Sequence, residues 1–165
     1  MTLIDTVRIE GDDAETISLG KTAHTLLMGF RMIVVGRGEC RMLRQMFVDL
    51  CGPEGDEALT ILFVVVKQLA FRGRRRLAVH APGCSGISSD ELIFLSALAA
   101  AQQPEIDGQG RERLWLSSLL AASADGAIAA SLRSLASILA SAGQNLDMED
   151  WRPGARFQAP PRSLH

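Results

Sequence analysis

An imidazole and a thiol, two side chains capable of acid–base and nucleophilic chemistry, lie four positions apart at His80 and Cys84. The Pro82-Gly83 dipeptide between them predicts a turn, which would bring both side chains into one small volume. Cys84 also lies four residues before Ser88, where a helix is predicted to begin, and the unpaired N–H groups at a helix start favour a thiolate. This segment is therefore the candidate site of the chain.

A nucleophile with its base is the first chemistry that this pair could supply. In this hypothesis Cys84 attacks a substrate, His80 takes up the thiol proton, and His24 or Asp90 orients the imidazole. The residues around Cys84 match no catalytic signature, so the sequence defines no reaction. The alternative for His24 is a partly buried histidine with a local hydrogen bond, and Asp90 is equally explained by helix capping.

A zinc site is the second hypothesis, because Cys40 and Cys51 would complete a Cys₃His set with Cys84 and His80. On a straight helix, however, the eleven positions from Cys40 to Cys51 span about 16 Å, too far for one ion to bind both. Burial as small apolar side chains is the common alternative for such cysteines. We therefore expect neither a metal nor another cofactor.

Composition narrows the class of protein. The chain has 165 residues, of which 47% are hydrophobic, enough for one core. A net charge of −2 and the lack of tyrosine argue against a nucleic-acid surface, which needs positive charge and stacking aromatics. The acidic N-terminal residues do not resemble a secretion signal, and the most apolar stretch, residues 58–66, is far shorter than the roughly twenty residues that span a bilayer. These features predict a cytoplasmic protein that binds neither membrane nor nucleic acid.

Apolar residues recur at helical spacing along most of the chain. The first pattern begins near Thr16 or Ser18 and is interrupted at Gly36 and Gly38, where we expect a break between two helices. A third helix is predicted from about Pro53 to Phe71. Its centre is apolar and rich in β-branched residues, so a buried strand is the alternative there.

The candidate site is predicted to lie between an extended segment and a well-defined helix start. Leu77 to His80 is predicted to be extended, and Ser88 with Glu91 has the capping-box pattern of a helix that continues to Ala101. Further helices are predicted from Arg111 to Ser123 and in the segment after Asp125-Gly126.

These segments predict an all-α fold, a single-domain bundle of five or six helices over residues 16–146. A short acidic arm at residues 1–15, which could also form an edge strand, and a flexible tail at residues 147–165 flank the bundle. Helical bundles serve as enzymes, sensors and adaptors, so the fold alone selects no function.

Arginines form two groups, one in the second predicted helix and one after the third: Arg37, Arg41 and Arg44, and Arg72, Arg74, Arg75 and Arg76. If the two helices are antiparallel neighbours, the groups would meet as a basic patch for phosphate or an acidic protein partner. The alternative is a solvated face with ordinary compensation of the helix dipole. Arg31 differs from these because it lies in an apolar run and needs a carboxylate partner, for which Glu57 and Asp90 are candidates.

The last predicted helix carries an apolar seam with spacings of four, three and four: Ile128, Leu132, Leu135 and Leu139. Such a seam can pair with its own copy in a dimer or pack inside the chain. With the basic patch, it leads to the hypothesis of a non-catalytic regulatory or adaptor module that acts through protein contacts and forms a homo-oligomer. A thiol- or metal-dependent sensor or enzyme centred on His80 and Cys84 is the alternative.

Overall fold

The computed structural model describes residues 3–10, 19–103, 110–120 and 125–147, and most of these residues are helical. The predicted all-α fold is confirmed, with the addition of a small parallel sheet. The α-helices have the following bounds: α1 Lys21–Val34, α2 Arg41–Cys51, α3 Gly55–Arg72, α4 Ser89–Ala101, α5 Glu112–Leu116 and α6 Asp125–Ser141. Within the described part of the chain, no helix combines the length and apolar character needed to cross a bilayer. The predicted helix start at Thr16 or Ser18 and all but the first residue of the predicted tail lie outside the described residues.

The sheet consists of β1, Val7–Glu10, and β2, Leu77–His80, paired in parallel so that Val7 lies opposite Leu77. All four residues of β2 are buried. The edge of β2 that faces away from β1 is occupied by side chains at the start of α4, since the N–H groups of Ala78 and His80 donate to carboxylates there. Within the predicted arm at residues 1–15, Val7–Glu10 thus form an edge strand, Leu3–Thr6 form a short 3-10 helix, and residues 1–2 and 11–15 lie outside the described part.

A glycine ends the first helical pattern, as predicted. Gly36 has a φ of 77°, which an L side chain rarely adopts, and α1 ends two residues before it. Gly38 packs so closely against Phe63 of α3 that an added Cβ would lie 3.0 Å from its ring. The break between α1 and α2 therefore depends on one backbone conformation and one close approach.

The core is a single cluster between the helices, centred on α1, α3, α4 and α6. Phe30 of α1 and Phe94 of α4 are both fully buried, with ring centroids 4.8 Å apart. The apolar centre of α3 is helical, so the strand alternative for this segment is wrong. The contact of Phe30 with Phe94 holds α1 against α4, the helix that follows the connection carrying the candidate site.

The helix predicted from Arg111 to Ser123 is shorter than expected, because α5 ends at Leu116. After it the chain turns, and Leu120 forms an isolated antiparallel bridge with Gly73. The Arg74 N–H donates to the Leu119 carbonyl at 2.9 Å. These main-chain bonds to the end of α3 replace the bonds that a longer helix would have made. Residues 121–123 lie outside the described part.

Candidate functional site

The structure brings His80 and Cys84 together. The Cys84 Sγ lies 3.4 Å from the His80 Nδ1, within hydrogen-bond distance for sulfur. His80 is the last residue of β2 and is 1% exposed, whereas Cys84 is partly exposed on the connection to α4. A buried imidazole thus faces a thiol that solvent can reach.

A tight turn produces this arrangement. Gly83 has a φ of 84°, and the Cys84 N–H donates to the Ala81 carbonyl at 3.1 Å. Because the chain reverses between His80 and Cys84, the two side chains return to the same side of the connection. The Pro82-Gly83 turn expected from the sequence therefore accounts for the geometry of the pair.

Arg31 of α1 anchors the connection that carries the thiol, which we define as the 81–87 loop. Its Nη1 donates to the Cys84 carbonyl at 2.8 Å, and its Nη2 donates to the Gly86 carbonyl at 2.6 Å. Arg31 is 3% exposed. A rigid guanidinium fork that binds two carbonyls of one loop fixes the path of its main chain.

Glu91 of α4 is the ion-pair partner of Arg31, which corrects the expectation of Glu57 or Asp90. The Arg31 Nε lies 2.7 Å from Glu91 Oε1, and the Arg31 Nη2 lies 3.0 Å from Oε2. Glu91 also accepts the N–H groups of His80 and Ser88, at 3.1 and 2.8 Å. One carboxylate therefore binds α1, the end of β2 and the start of α4.

The predicted capping box at Ser88 and Glu91 is confirmed. The Glu91 N–H donates to Ser88 Oγ, and the Glu91 side chain accepts from the Ser88 N–H. Ser88 Oγ also donates to the Ala78 carbonyl of β2 at 2.6 Å. The cap thus connects α4 to the sheet as well as beginning the helix.

Asp90 binds a different partner from the one expected of a residue that orients His80. Its two oxygens accept Arg75 Nη1 and Nη2, both at 2.6 Å, and one also accepts the Ala78 N–H at 2.8 Å. The hydrogen bond to Asp90 raises the pKa of Arg75. The carboxylate that reaches His80 is that of Glu91, and it does so through the main chain.

A cavity of about 260 Å³ opens beside the 81–87 loop. Its wall includes Cys84, the exposed His24, Arg31 and a set of apolar side chains: Leu19, Leu27, Met28 and Ile87. His24 therefore lies at the same cavity as Cys84, although on a different element. A small molecule in this cavity would lie beside Cys84.

The other two cysteines are at opposite ends of α2, as the sequence spacing indicated. Cys40 is the N-cap residue and is partly exposed, while Cys51 is the last residue of the helix and is buried. Burial, and then the charge of Glu54, raise the pKa of the Cys51 thiol. Among the described residues, no three His, Cys, Asp or Glu side chains are grouped so that they could hold a metal ion. The Cys₃His set of the zinc hypothesis is not assembled.

Several arginines of the expected basic patch have local partners. Arg44 pairs with Asp56 at 2.9 Å, with both side chains largely exposed. Arg74 Nε donates to the Leu120 carbonyl at 2.7 Å, and Arg75 pairs with Asp90. The remaining four are exposed: Arg37, Arg41, Arg72 and Arg76.

The two arginine groups lie at different levels along α3. Gly38, beside the first group, contacts Phe63. Phe63 precedes Arg72 by nine positions, about 14 Å along a helix. The expected merging of the two groups at one end of the bundle is therefore corrected: the first lies along the first half of α3, between Asp56 and Phe63, and the second lies at and beyond its end.

The apolar seam of α6 lies inside the chain. All four residues are 0% exposed: Ile128, Leu132, Leu135 and Leu139. They belong to the same core cluster as the buried residues of α3 and α4. The seam therefore packs inside the chain, which was the alternative to a dimer contact. This corrects its assignment as an interface surface.

The Arg31–Glu91 pair is the part of the site that the sequence did not reveal. Its signal was a charged residue in the apolar run of α1, which indicated a buried ion pair but not the partner. No protein family, curated protein or solved structure matches the chain. What the protein does must therefore be inferred from the geometry of the site.

Proposed function

We propose that Cys84 is a reactive thiol that forms a covalent bond with an electrophile, and that His80 is its base. The observation that carries the proposal is the 3.4 Å distance between Cys84 Sγ and His80 Nδ1 at the wall of an open cavity. In the tautomer with its proton on Nε2, the imidazole can accept the thiol proton at Nδ1, which leaves the nucleophilic thiolate.

The surroundings support this role because they hold the two groups in place. The backbone N–H of His80 donates to Glu91, and the carbonyl of Cys84 accepts from Arg31. Since Arg31 and Glu91 are themselves paired, the base and the nucleophile are attached to one buried ion pair. A pair whose geometry is fixed before a reagent arrives loses less conformational freedom in the reaction.

The test is the rate of alkylation of each cysteine by iodoacetamide in the native protein, measured by peptide mass spectrometry. We expect Cys84 to react at least about ten times faster than Cys40 at neutral pH, because only a minor fraction of an ordinary thiol is thiolate there. Replacement of His80 by Gln should reduce the Cys84 rate to that of Cys40. Cys40→Ser is the control and should leave the Cys84 rate as it is.

Cys51 serves as an internal folding probe in the same samples. It is buried and its pKa is raised, so it should remain unmodified in any variant that stays folded. If Cys51 stays unmodified in the His80→Gln variant and its Cys84 is still alkylated at the wild-type rate, His80 is excluded as the base. Equal rates at Cys84 and Cys40 in the wild-type protein would exclude a reactive thiol.

Self-association through a contact between two copies of the chain is a second candidate function, and a separate observation favours it. Leu114 of α5 is 78% exposed beside a cavity of about 400 Å³, whose wall includes Leu92, Ile93 and Trp115. Exposed apolar side chains that adjoin one another, unlike those scattered singly, mark contact surfaces. Light scattering over a range of concentrations tests this. A dimer mass that Leu114→Glu reduces to that of a monomer, while Val64→Glu on α3 does not, supports self-association; a monomer at all concentrations excludes it.

A further inference from the structure

The cavity beside Cys84 indicates which electrophiles the thiol would meet. Four of its lining side chains are apolar: Leu19, Leu27, Met28 and Ile87. A volume of about 260 Å³ suits a small molecule of a few carbon atoms. We propose that Cys84 adds to apolar α,β-unsaturated carbonyl compounds, with the alkyl chain in this cavity. The inference rests on the proposed reactivity of Cys84.

Arg31 lines the cavity but does not make it a site for anions. Four of its five N–H donors are bound, two to Glu91 and two to the carbonyls of Cys84 and Gly86. The carboxylate of Glu91 balances its charge inside the protein. A phosphate or carboxylate in the cavity would therefore find the guanidinium already occupied. An uncharged reagent needs no bond from the guanidinium, so its binding does not suffer from the bonds that Arg31 already makes.

The reaction needs only the two groups that the site supplies. His80 Nδ1 takes the thiol proton, and the Cys84 Sγ donates an electron pair to the β-carbon of the reagent. As the C–S bond forms, the π electrons of the C=C bond move toward the carbonyl and give an enolate. The imidazolium then returns the proton to the α-carbon. No group leaves, and neither an oxidant nor a reductant takes part.

Addition suits this loop better than acyl transfer does. Acyl transfer passes through a tetrahedral oxyanion, which main-chain N–H donors commonly stabilise. The main-chain donor of the nucleophile itself is already committed, since the Cys84 N–H donates to the Ala81 carbonyl at 3.1 Å. The enolate of the addition also carries charge on oxygen, but the proton held by His80 neutralises it in the next step and no leaving group has to be expelled.

The test uses crotonaldehyde, trans-2-pentenal and trans-2-hexenal, three α,β-unsaturated aldehydes that differ only in the length of the alkyl chain. Peptide mass spectrometry gives the adduct rate at Cys84 divided by that at Cys40, which corrects for the reactivity of each reagent. Burial of each added methylene is worth about fourfold in binding, so we expect the rate ratio to rise by up to about that factor per methylene. A rate ratio that does not change with chain length overturns the inference.

Two matched variants test whether the increase of the rate ratio with chain length depends on the cavity. Met28→Glu puts a charge into the apolar wall and should abolish the increase of the rate ratio with chain length. Met42→Glu makes the same change at a residue of α2 that is 56% exposed, outside the site, and should keep the increase. Protection of Cys51 shows in each case that the variant is folded. An increase that persists in Met28→Glu also overturns the inference.

Iodoacetamide separates this inference from the function on which it rests. If Cys84 reacts rapidly with iodoacetamide but shows no dependence on chain length, the apolar-electrophile inference is wrong and the reactive thiol stands. If Cys84 reacts no faster than Cys40 with iodoacetamide, both are wrong.

Discussion

Arg31 and Glu91, sixty positions apart in the chain, form a two-point ion pair that is almost completely excluded from water. The hydrogen bonds around it reach three parts of the chain: Arg31 binds the 81–87 loop twice, and Glu91 binds β2 and the start of α4. Because an isolated buried charge is costly, the pair makes these elements depend on one another.

The first prediction concerns the loss of one partner of this pair. Arg31→Met leaves the Glu91 carboxylate buried without its cation, so we expect a loss of about 3–5 kcal/mol in the free energy of unfolding, measured with urea. Arg44→Met is the matched control: the pair of Arg44 with Asp56 is largely exposed, and its loss should cost less than about 1 kcal/mol. Similar costs for the two variants would contradict the structural role of the Arg31 pair.

The second prediction compares two adjacent serines. Ser88→Ala removes the cap of α4 and the hydrogen bond to Ala78, so it should lower the free energy of unfolding by about 1–3 kcal/mol. Ser89→Ala, one position later and exposed, should change it by less than about 0.5 kcal/mol. The same urea unfolding experiment measures both, and equal effects would show that the cap contributes little.

These two features differ in how well the sequence predicts them. The capping box at Ser88 and Glu91 depends on residues three apart in one helix start, so local pattern is enough to predict it. The turn between His80 and Cys84 is local as well. The partner of Arg31 depends on which helices pack together: Glu91 binds it, whereas Asp90 pairs with Arg75 and Glu57 is exposed on α3. The end of α5 at Leu116 likewise depends on a distant partner, the main chain at Gly73.

The third prediction is a dependence of stability on pH that arises from Cys51. Burial raises the pKa of this thiol above its ordinary value of 9.0. As pH rises past that value, the unfolded chain loses the Cys51 proton before the folded chain does. The stability that this thiol contributes is therefore complete below the unfolded pKa and is lost as pH rises through the folded pKa.

Urea unfolding at neutral pH and at about pH 10 measures this effect. Cys51→Ala should lose less stability over this range than the wild-type protein. Cys40→Ala, at the partly exposed end of the same helix, should lose as much as the wild type. An unchanged pH dependence in Cys51→Ala would mean that the thiol makes no contribution.

The fourth prediction tests the close approach of α2 and α3. A Cβ on Gly55 would lie 2.5 Å from the Phe47 carbonyl oxygen, a main-chain atom that cannot move aside cheaply. Gly55→Ala should therefore lower the free energy of unfolding by about 1–3 kcal/mol. At Gly126 of α6 nothing lies within 4 Å, and Gly126→Ala should be neutral or stabilise the protein by up to about 1 kcal/mol. The opposite order of the two variants would show that the two helices are not in contact at Gly55.

The last prediction separates the two roles considered for the α6 seam. Leu135 is 0% exposed within a single chain, so Leu135→Ala should create a cavity and lower the free energy of unfolding by about 2–5 kcal/mol. Ser137→Ala, on the exposed side of α6, should have little effect. Because the seam is filled from inside the chain, the mass measured by light scattering should be the same for Leu135→Ala as for the wild-type protein. If the wild type is a dimer and Leu135→Ala a folded monomer, the seam forms the contact between copies and does not pack as the structure has it.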